Sequence, residues 1–283
     1  MSEEKKVCPP VVGKISLAGD LGSGKSTVSA ILIERLSATY YSTGAICRAI
    51  AAKHGMTIVE MNKYMETHPE IDHEIDDGLR ALADKEENLI IDSRMAWHFV
   101  AGTFRVYMTT ELEESAKRIL RANREGDHAA TIEEMAAEIR ARKASERLRY
   151  REQYGVDCKD LSNYDLVVDS TYASPEEVAE CILTAFDAWR ADKTRRIAYI
   201  CPRRFFYPDE GTDEGRAASL SECLEAGEDV GTAVAVECDG DVYLTGGAEI
   251  ALAHAIADMP LVPTVLSVGA KPVGDFVRMT DSL

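Results

Sequence analysis

Eight consecutive residues could do recognisable chemistry: Gly19-Asp-Leu-Gly22-Ser23-Gly24-Lys25-Ser26, followed by Thr27. The pattern G-x-x-x-x-G-K-[ST] suits one task, the cradling of a polyphosphate. Its glycines let the backbone turn until successive N–H groups point inward at anionic oxygens. A helix expected to begin at the same point adds the positive end of its dipole. Lys25 can reach the outer phosphates, and the Ser26 hydroxyl can ligate Mg²⁺. Gly19, Gly22, Ser23, Gly24, Lys25, Ser26 and Thr27 are therefore the expected ligands of a nucleoside triphosphate. The loop leaves the acceptor open, because a GTPase, a shikimate-type kinase and a nucleotide kinase all fit it.

The second feature is a cluster of cations. Between positions 117 and 151 stand Lys117, Arg118, Arg121, Arg124, Arg140, Arg142, Lys143, Arg147, Arg149 and Arg151, in a chain whose formal net charge is −17. Phosphoryl transfer to an anionic acceptor crowds negative charge that mobile cations must neutralise. Arginine suits this because its planar fork grips phosphate with two hydrogen bonds. One reading is a lid that closes on the phosphates. The other is a solvated helix, its arginines paired along the surface with Glu133, Glu134, Glu138 and Glu146. Asp92 ends an expected strand near the loop, where it either orients Mg²⁺ through water or caps the turn after that strand.

These residues need elements to hold them. Apolar runs at 11–18, 88–92, 104–108 and 165–169 read as short buried strands. Helical periodicity covers 27–36, 44–54 and 71–84, and a charged helical stretch spans 111–154 with a break near Gly126-Asp127. Thr57-Ile-Val-Glu60 and Ser174-Pro-Glu-Glu177 are capping boxes that open two more helices. Strands alternating with helices point to an α/β fold, a parallel sheet of the P-loop NTPase kind flanked by helices. The polar stretch 189–196 is the expected boundary, giving units at 11–190 and 196–283.

Past that boundary the composition shifts. Fifteen acids face six Lys or Arg, which places about −9 of the charge in the last third. Strands are expected at 197–201, 232–238, 242–245 and 261–268, helices at 216–226 and 248–258, and a hairpin turn at Asp239-Gly240. The result is a small α+β unit.

Several motifs in one order give a resemblance. Tyr41-Ser-Thr-Gly-Ala-Ile-Cys-Arg48, then His68-Pro-Glu-Ile-Asp72, Ile90-Ile-Asp-Ser-Arg94, Arg142-Lys-Ala-Ser-Glu146-Arg-Leu-Arg149-Tyr150, Tyr154-Gly-Val-Asp157 and Tyr164-Asp-Leu-Val-Val-Asp169 resemble the short, archaeal-type cytidylate kinases over about residues 13–188. The resemblance implies ATP- and Mg²⁺-dependent phosphorylation of CMP or dCMP. It implies a monophosphate region at Ser42, Thr43 and Gly44, with Arg48 and Arg94 on the monophosphate. Arg142 and Arg149 then close on the phosphates beside Lys25 and Asp92, and Glu146 contacts substrate or simply pairs along its helix. Two departures stand out: Ser93 replaces a glycine, and Met95-Ala-Trp-His-Phe99 replaces a small, glycine-bearing stretch. Trp97 and His98 therefore either line the base pocket or pack in the interior.

The segment Asp239-Gly-Asp-Val-Tyr-Leu-Thr-Gly246-Gly247 and the helix after it faintly resemble a ParB-like fold, but that family's His and Arg are absent from the turn. Packing, regulation or self-association is the expected role, with Arg203, Arg204, Phe205, Phe206 and Tyr207 a basic-aromatic patch that could face the first unit. The acidic balance argues against general nucleic-acid binding. Seven scattered cysteines without a C-x-x-C pair suit a reducing compartment and suggest no zinc site. The N-terminus lacks an apolar signal core and no apolar run is membrane-long, so a cytoplasmic location is expected. Rival functions are a kinase for another small acceptor and a nucleotide-sensing regulator.

Overall fold

The computed structural model describes residues 13–122, 129–208 and 211–279. Residues 11 and 12, Arg124 and the break expected near Gly126-Asp127 lie outside the described residues. In chain order the first part holds β1 (Lys14–Gly19), α1 (Lys25–Leu36), β2 (Thr39–Ser42), α2 (Thr43–Lys53), α3 (Ile58–Met65), α4 (Pro69–Arg80), β3 (Leu89–Asp92), α5 (Ala96–Phe99), β4 (Phe104–Thr109), α6 (Leu112–Ala122), α7 (Ile132–Tyr154), β5 (Leu166–Asp169) and α8 (Pro175–Ala191). The second part holds β6 (Ile197–Ile200), β7 (Phe205–Pro208), α9 (Glu214–Glu225), β8 (Ala233–Cys238), β9 (Asp241–Gly246), α10 (Ala248–Ile256), β10 (Val262–Val268) and β11 (Phe276–Arg278).

Period-two alternation explains the layers. Ile15 and Leu17 of β1 point to one face, where Val28 and Leu32 of α1 and Ile182 and Phe186 of α8 bury them. Ala18 points to the other face, beside Tyr107, Tyr164 and Val167. Both capping boxes form: Thr57 Oγ accepts from Glu60 N at 3.1 Å and Ser174 Oγ from Glu177 N at 3.2 Å, each with the reciprocal bond from the cap N–H to the glutamate. They fix where α3 and α8 begin.

β1 pairs in parallel with β3 on one side and β4 on the other, and the parallel set extends to β2 and β5. The strand order thus reverses at β1, and in open α/β sheets ligands bind at the carboxyl ends of the strands at such a point. The phosphate-binding loop leaves β1 there.

The sheet does not stop at the polar stretch. β6 pairs in parallel with β5 and antiparallel with β10, and the described strands run in the order β11-β7-β9-β8-β10-β6-β5-β4-β1-β3-β2. The last third is therefore joined to the first edge to edge through its backbone. α9 and α10 pack on it, with Phe205, Ala217, Ala235, Leu244 and Leu252 among the buried residues. The Asp239-Gly240 turn forms as expected, both residues having positive φ (54° and 99°) between antiparallel β8 and β9.

β2, β7 and β11 escape the sequence pattern for physical reasons. β2 and β11 end the sheet and are short and largely exposed, while β7 ends in Pro208. Among the described residues no helix is long and apolar enough to cross a membrane. The six described cysteines are unpaired.

Candidate active site

Gly19 has φ 150°, and a Cβ there would collide with the carbonyl oxygen of Met108 on β4. Gly24, with φ 81°, is the N-cap of α1 and supplies no side-chain cap. No cap side chain competes with an anion for the amides at the start of α1, although Thr27 N already donates to the Gly24 carbonyl at 3.0 Å. Lys25 folds back across the loop, its Nζ donating to the carbonyl oxygens of Gly19 at 3.2 Å and Asp20 at 3.0 Å. Burial lowers its pKa to about 8, opposed by the nearby Asp92 carboxylate. Ser23 is buried with its hydroxyl unpaired, whereas Ser26 and Thr27 face solvent.

Mg²⁺ normally takes one or two protein ligands together with phosphate oxygens and water. The donors here fit that habit. Among the described residues no three His, Cys, Asp or Glu gather as a self-sufficient cage. The Ser26 hydroxyl is open, and Asp92 ends β3 directly beside β1, opposite Leu17 in register. Its Oδ2 accepts from Tyr40 Oη at 3.1 Å, which steadies it across β2.

The opposite wall is built from β2, α2 and α7. Ser42 caps α2, its Oγ accepting from Ala45 N at 3.3 Å, and Thr43 Oγ1 donates to the Asp92 carbonyl at 3.4 Å. Gly44 has no side chain to obstruct Arg48, whose Nη1 lies 3.6 Å from where a Cβ would stand. Glu146 sits on α7, 3% exposed. Its two carboxylate oxygens pair with Arg94 Nε at 2.9 Å and Arg142 Nε at 3.0 Å. Burial pushes the Glu146 carboxyl up, but these arginines outweigh it and hold it below the usual range. Arg94, just after β3, is thus brought to Glu146 and Arg142, which lie one turn apart on α7.

Arg149 is turned elsewhere. Its Nε lies 3.1 Å from Asp72 Oδ2 on α4, and its Nη1 donates to the Asn62 carbonyl at 3.3 Å. The Nε contact is an ion pair poorly aligned for a hydrogen bond. Burial raises the Asp72 pKa although Arg149 opposes it. The basic cluster also divides. Lys117 and Arg118 lie on α6, paired with Glu113 and Glu114, and Arg118 Nη2 donates to the carbonyls of Ser170 and Thr171 at 2.7 and 2.9 Å. Arg140 to Arg151 lie on α7. Trp97 is half-buried and packs edge-on against Tyr164 (6.0 Å between centroids), whereas His98, edge-on to Phe99 at 4.8 Å, is exposed.

Three participants, Asp20, Lys159 and Asp72, are given no role by the sequence. Asp20, a variable position of the loop motif, is 2% exposed and accepts from Tyr107 Oη, Thr109 Oγ1 and Thr110 N at 3.0 to 3.2 Å. Lys143 of α7 and Lys159 reach its Oδ1 at 2.8 and 3.5 Å. Burial works against its charge, but the lysines prevail and its pKa falls well below the usual carboxylate range. Asp72 is the third. A cavity of ≈1150 Å³ opens beside the loop, lined by Asp20, Arg94, Lys143 and Lys159 and, from the last third, by the 237–241 turn and Arg278.

Known proteins resemble the first part of the chain. Residues 15–141 match the model of an AAA domain. A cytidylate kinase of Thermoplasma volcanium is 37% identical over 178 residues, covering 62% of this chain and 91% of that protein. An S-adenosylmethionine-dependent nucleotide dehydratase of Lacinutrix mariniflava is 37% identical over 171 residues, 60% of this chain but 35% of its own length. Among solved structures, a shikimate kinase from Acinetobacter baumannii covers 63% of this chain and 95% of its own at 19% identity, with a TM-score of 0.43. With its glycine loop on β1, paired arginines around Glu146 and a relative matched over nearly its whole length, the chain belongs to the cytidylate kinase family of P-loop kinases.

Proposed function

We propose that the protein transfers the γ-phosphoryl group of ATP to a nucleoside monophosphate, CMP or dCMP giving CDP or dCDP. The observation that carries this reading is the Arg94–Glu146–Arg142 bridge, which sets two cations from opposite walls beside Lys25 and the loop. A polyphosphate and a monophosphate both need such charge, and arginine forks grip each bidentately. Gly19 to Thr27 hold the triphosphate, with the amides of α1 and Lys25 on its outer oxygens. Arg48, Arg94 and the Ser42–Gly44 turn hold the monophosphate. Ser26 and Asp92 would hold Mg²⁺, which would supply charge neutralisation on the donor phosphates. α7 carries the lid, Arg142 with the phosphates and Arg149 joining it once released from Asp72. Water exclusion by the lid favours transfer over hydrolysis.

Chromatographic separation of products after incubation with MgATP and CMP tests the reading. Equal amounts of ADP and CDP are expected. ADP without CDP would reject transfer to CMP. No observation favours a purely sensory role over this one.

A further inference from the structure

Beyond the β5–β6 pairing, the last third of the chain meets the kinase unit at a buried polar junction around Arg204. Arg204, immediately before β7, is 5% exposed, yet it lies beyond residues 15–141, which match the AAA domain model. Its Nη1 donates to Asp169 Oδ1 at 3.3 Å and Thr171 Oγ1 at 3.1 Å, its Nη2 to the Gly240 carbonyl at 2.9 Å, and its Nε lies 3.4 Å from Glu111. Asp169 is fully buried and also accepts from Cys201 N at 3.2 Å. Beside Arg204, the Arg203 guanidinium lies 5.4 Å from the centre of the Tyr172 ring.

Apart from Gly240, in the β8–β9 turn, these partners lie at the ends of β4 and β5 and in the loops that follow them (109–111 and 169–174). The Thr171 hydroxyl links them: it donates to Asp169 at 2.6 Å and accepts from Glu111 N at 3.1 Å and from Arg204. One donor and two acceptors use the full capacity of a hydroxyl. From the first loop the chain of contacts continues through Thr110 N to Asp20 in the phosphate-binding loop. The carboxyl ends of β3 and β2 carry Arg94 and Arg48 on one side of β1, which leaves the carboxyl ends of β4 and β5 as the side toward which a donor nucleoside extends.

We infer that Arg204 is a positioning residue of the donor site, by which the C-terminal unit fixes the loops after β4 and β5 against the phosphate-binding loop. Binding of the nucleoside triphosphate then depends on a residue outside the kinase unit. This rests on the proposal above in taking the glycine loop as the donor site and Arg48 and Arg94 as marking the acceptor side of β1. The acceptor site, on the other side of β1, does not share the dependence.

The test compares wild type with Arg204→Lys, which keeps the charge but not the fork, and Thr171→Val, which keeps the shape but removes the linking hydroxyl. MgATP affinity is read by calorimetry, KM for both substrates by steady-state kinetics, and folding by thermal melting. Each folded variant is expected to bind MgATP about tenfold more weakly, with acceptor KM within about twofold of wild type. Unchanged MgATP affinity in either folded variant would overturn the inference. So would a rise of both KM values together, or a loss confined to kcat, the mark of a merely smaller active fraction. If wild type binds MgATP but phosphorylates no monophosphate, the acceptor reading fails while calorimetry still decides this one. If wild type binds no MgATP, both fall.

Discussion

Lys143 of α7 reaches Asp20 of the glycine-rich loop at 2.8 Å, so a carboxylate of the protein itself meets this cation at the loop. The pair fixes α7 across the cleft before any phosphate arrives. Asp20→Asn keeps the shape but leaves Lys143 and Lys159 without their anion and turns an amide toward Tyr107, Thr109 and Thr110. A loss of about 2–4 kcal/mol in urea denaturation is expected. The folded pKa of Asp20 lies below its unfolded value near 3.8, so its contribution is present above that value and is lost as pH falls through the folded pKa. The acid limb of the melting curve should therefore be shallower in Asp20→Asn than in wild type.

Glu146 is the hinge between the two walls of the cleft. Glu146→Gln leaves Arg94 and Arg142 facing each other without the carboxylate that separates them. Both arginines are about a quarter exposed, at 23% and 24%. Solvent screening therefore reduces the destabilisation to about 2 kcal/mol. Steady-state kinetics should show KM for the monophosphate rising more than KM for ATP if, as proposed, Arg94 binds the acceptor.

Lys25 sets a pH dependence. Its pKa of about 8, below the usual 10.5, makes the free site cationic below pH 8 and neutral above. The value of kcat/KM for MgATP should fall as pH rises through about 8, by about tenfold per further unit. The limb in kcat should lie higher, because bound phosphate stabilises the ammonium. Stability moves the other way. Between about 8 and 10.5 the unfolded chain holds a proton that the folded one has lost, so unfolding free energy rises with pH.

Removing that ammonium is a direct probe of chemistry. Lys25→Ala should lower kcat by about 10²–10³-fold with the melting temperature little changed, as for loss of one preorganised charge donor at developing anionic oxygens. Turnover within a few-fold of wild type would remove Lys25 from the site.

Much of this was legible in the sequence where local chemistry is self-sufficient. The loop, both capping boxes, the Asp239-Gly240 hairpin and the parallel strands depend on neighbours in the chain, and each formed. Long-range ion pairs were not legible. Nothing near Arg149 in sequence reveals that Asp72, on another helix, holds it, and Asp20 occupies a position where the motif tolerates any residue. The continuous sheet across 189–196 was hidden because a polar surface helix end reads like a linker, while the pairing of β6 with β5 is a backbone property with little side-chain signature. Arg204 stood in a patch that looked capable of facing the kinase unit, but its partners Asp169, Thr171 and Glu111 emerge only from the fold.

The most direct measurement is ADP release, coupled to a reporter, with ATP, Mg²⁺ and each of CMP, dCMP, UMP, AMP and GMP in turn. CMP or dCMP should give kcat/KM values at least about tenfold above the other three, the discrimination expected of a pocket that hydrogen-bonds one base edge. ADP release no faster than with ATP alone for all five, or faster turnover of UMP, AMP or GMP than of either cytidine nucleotide, would contradict the assignment.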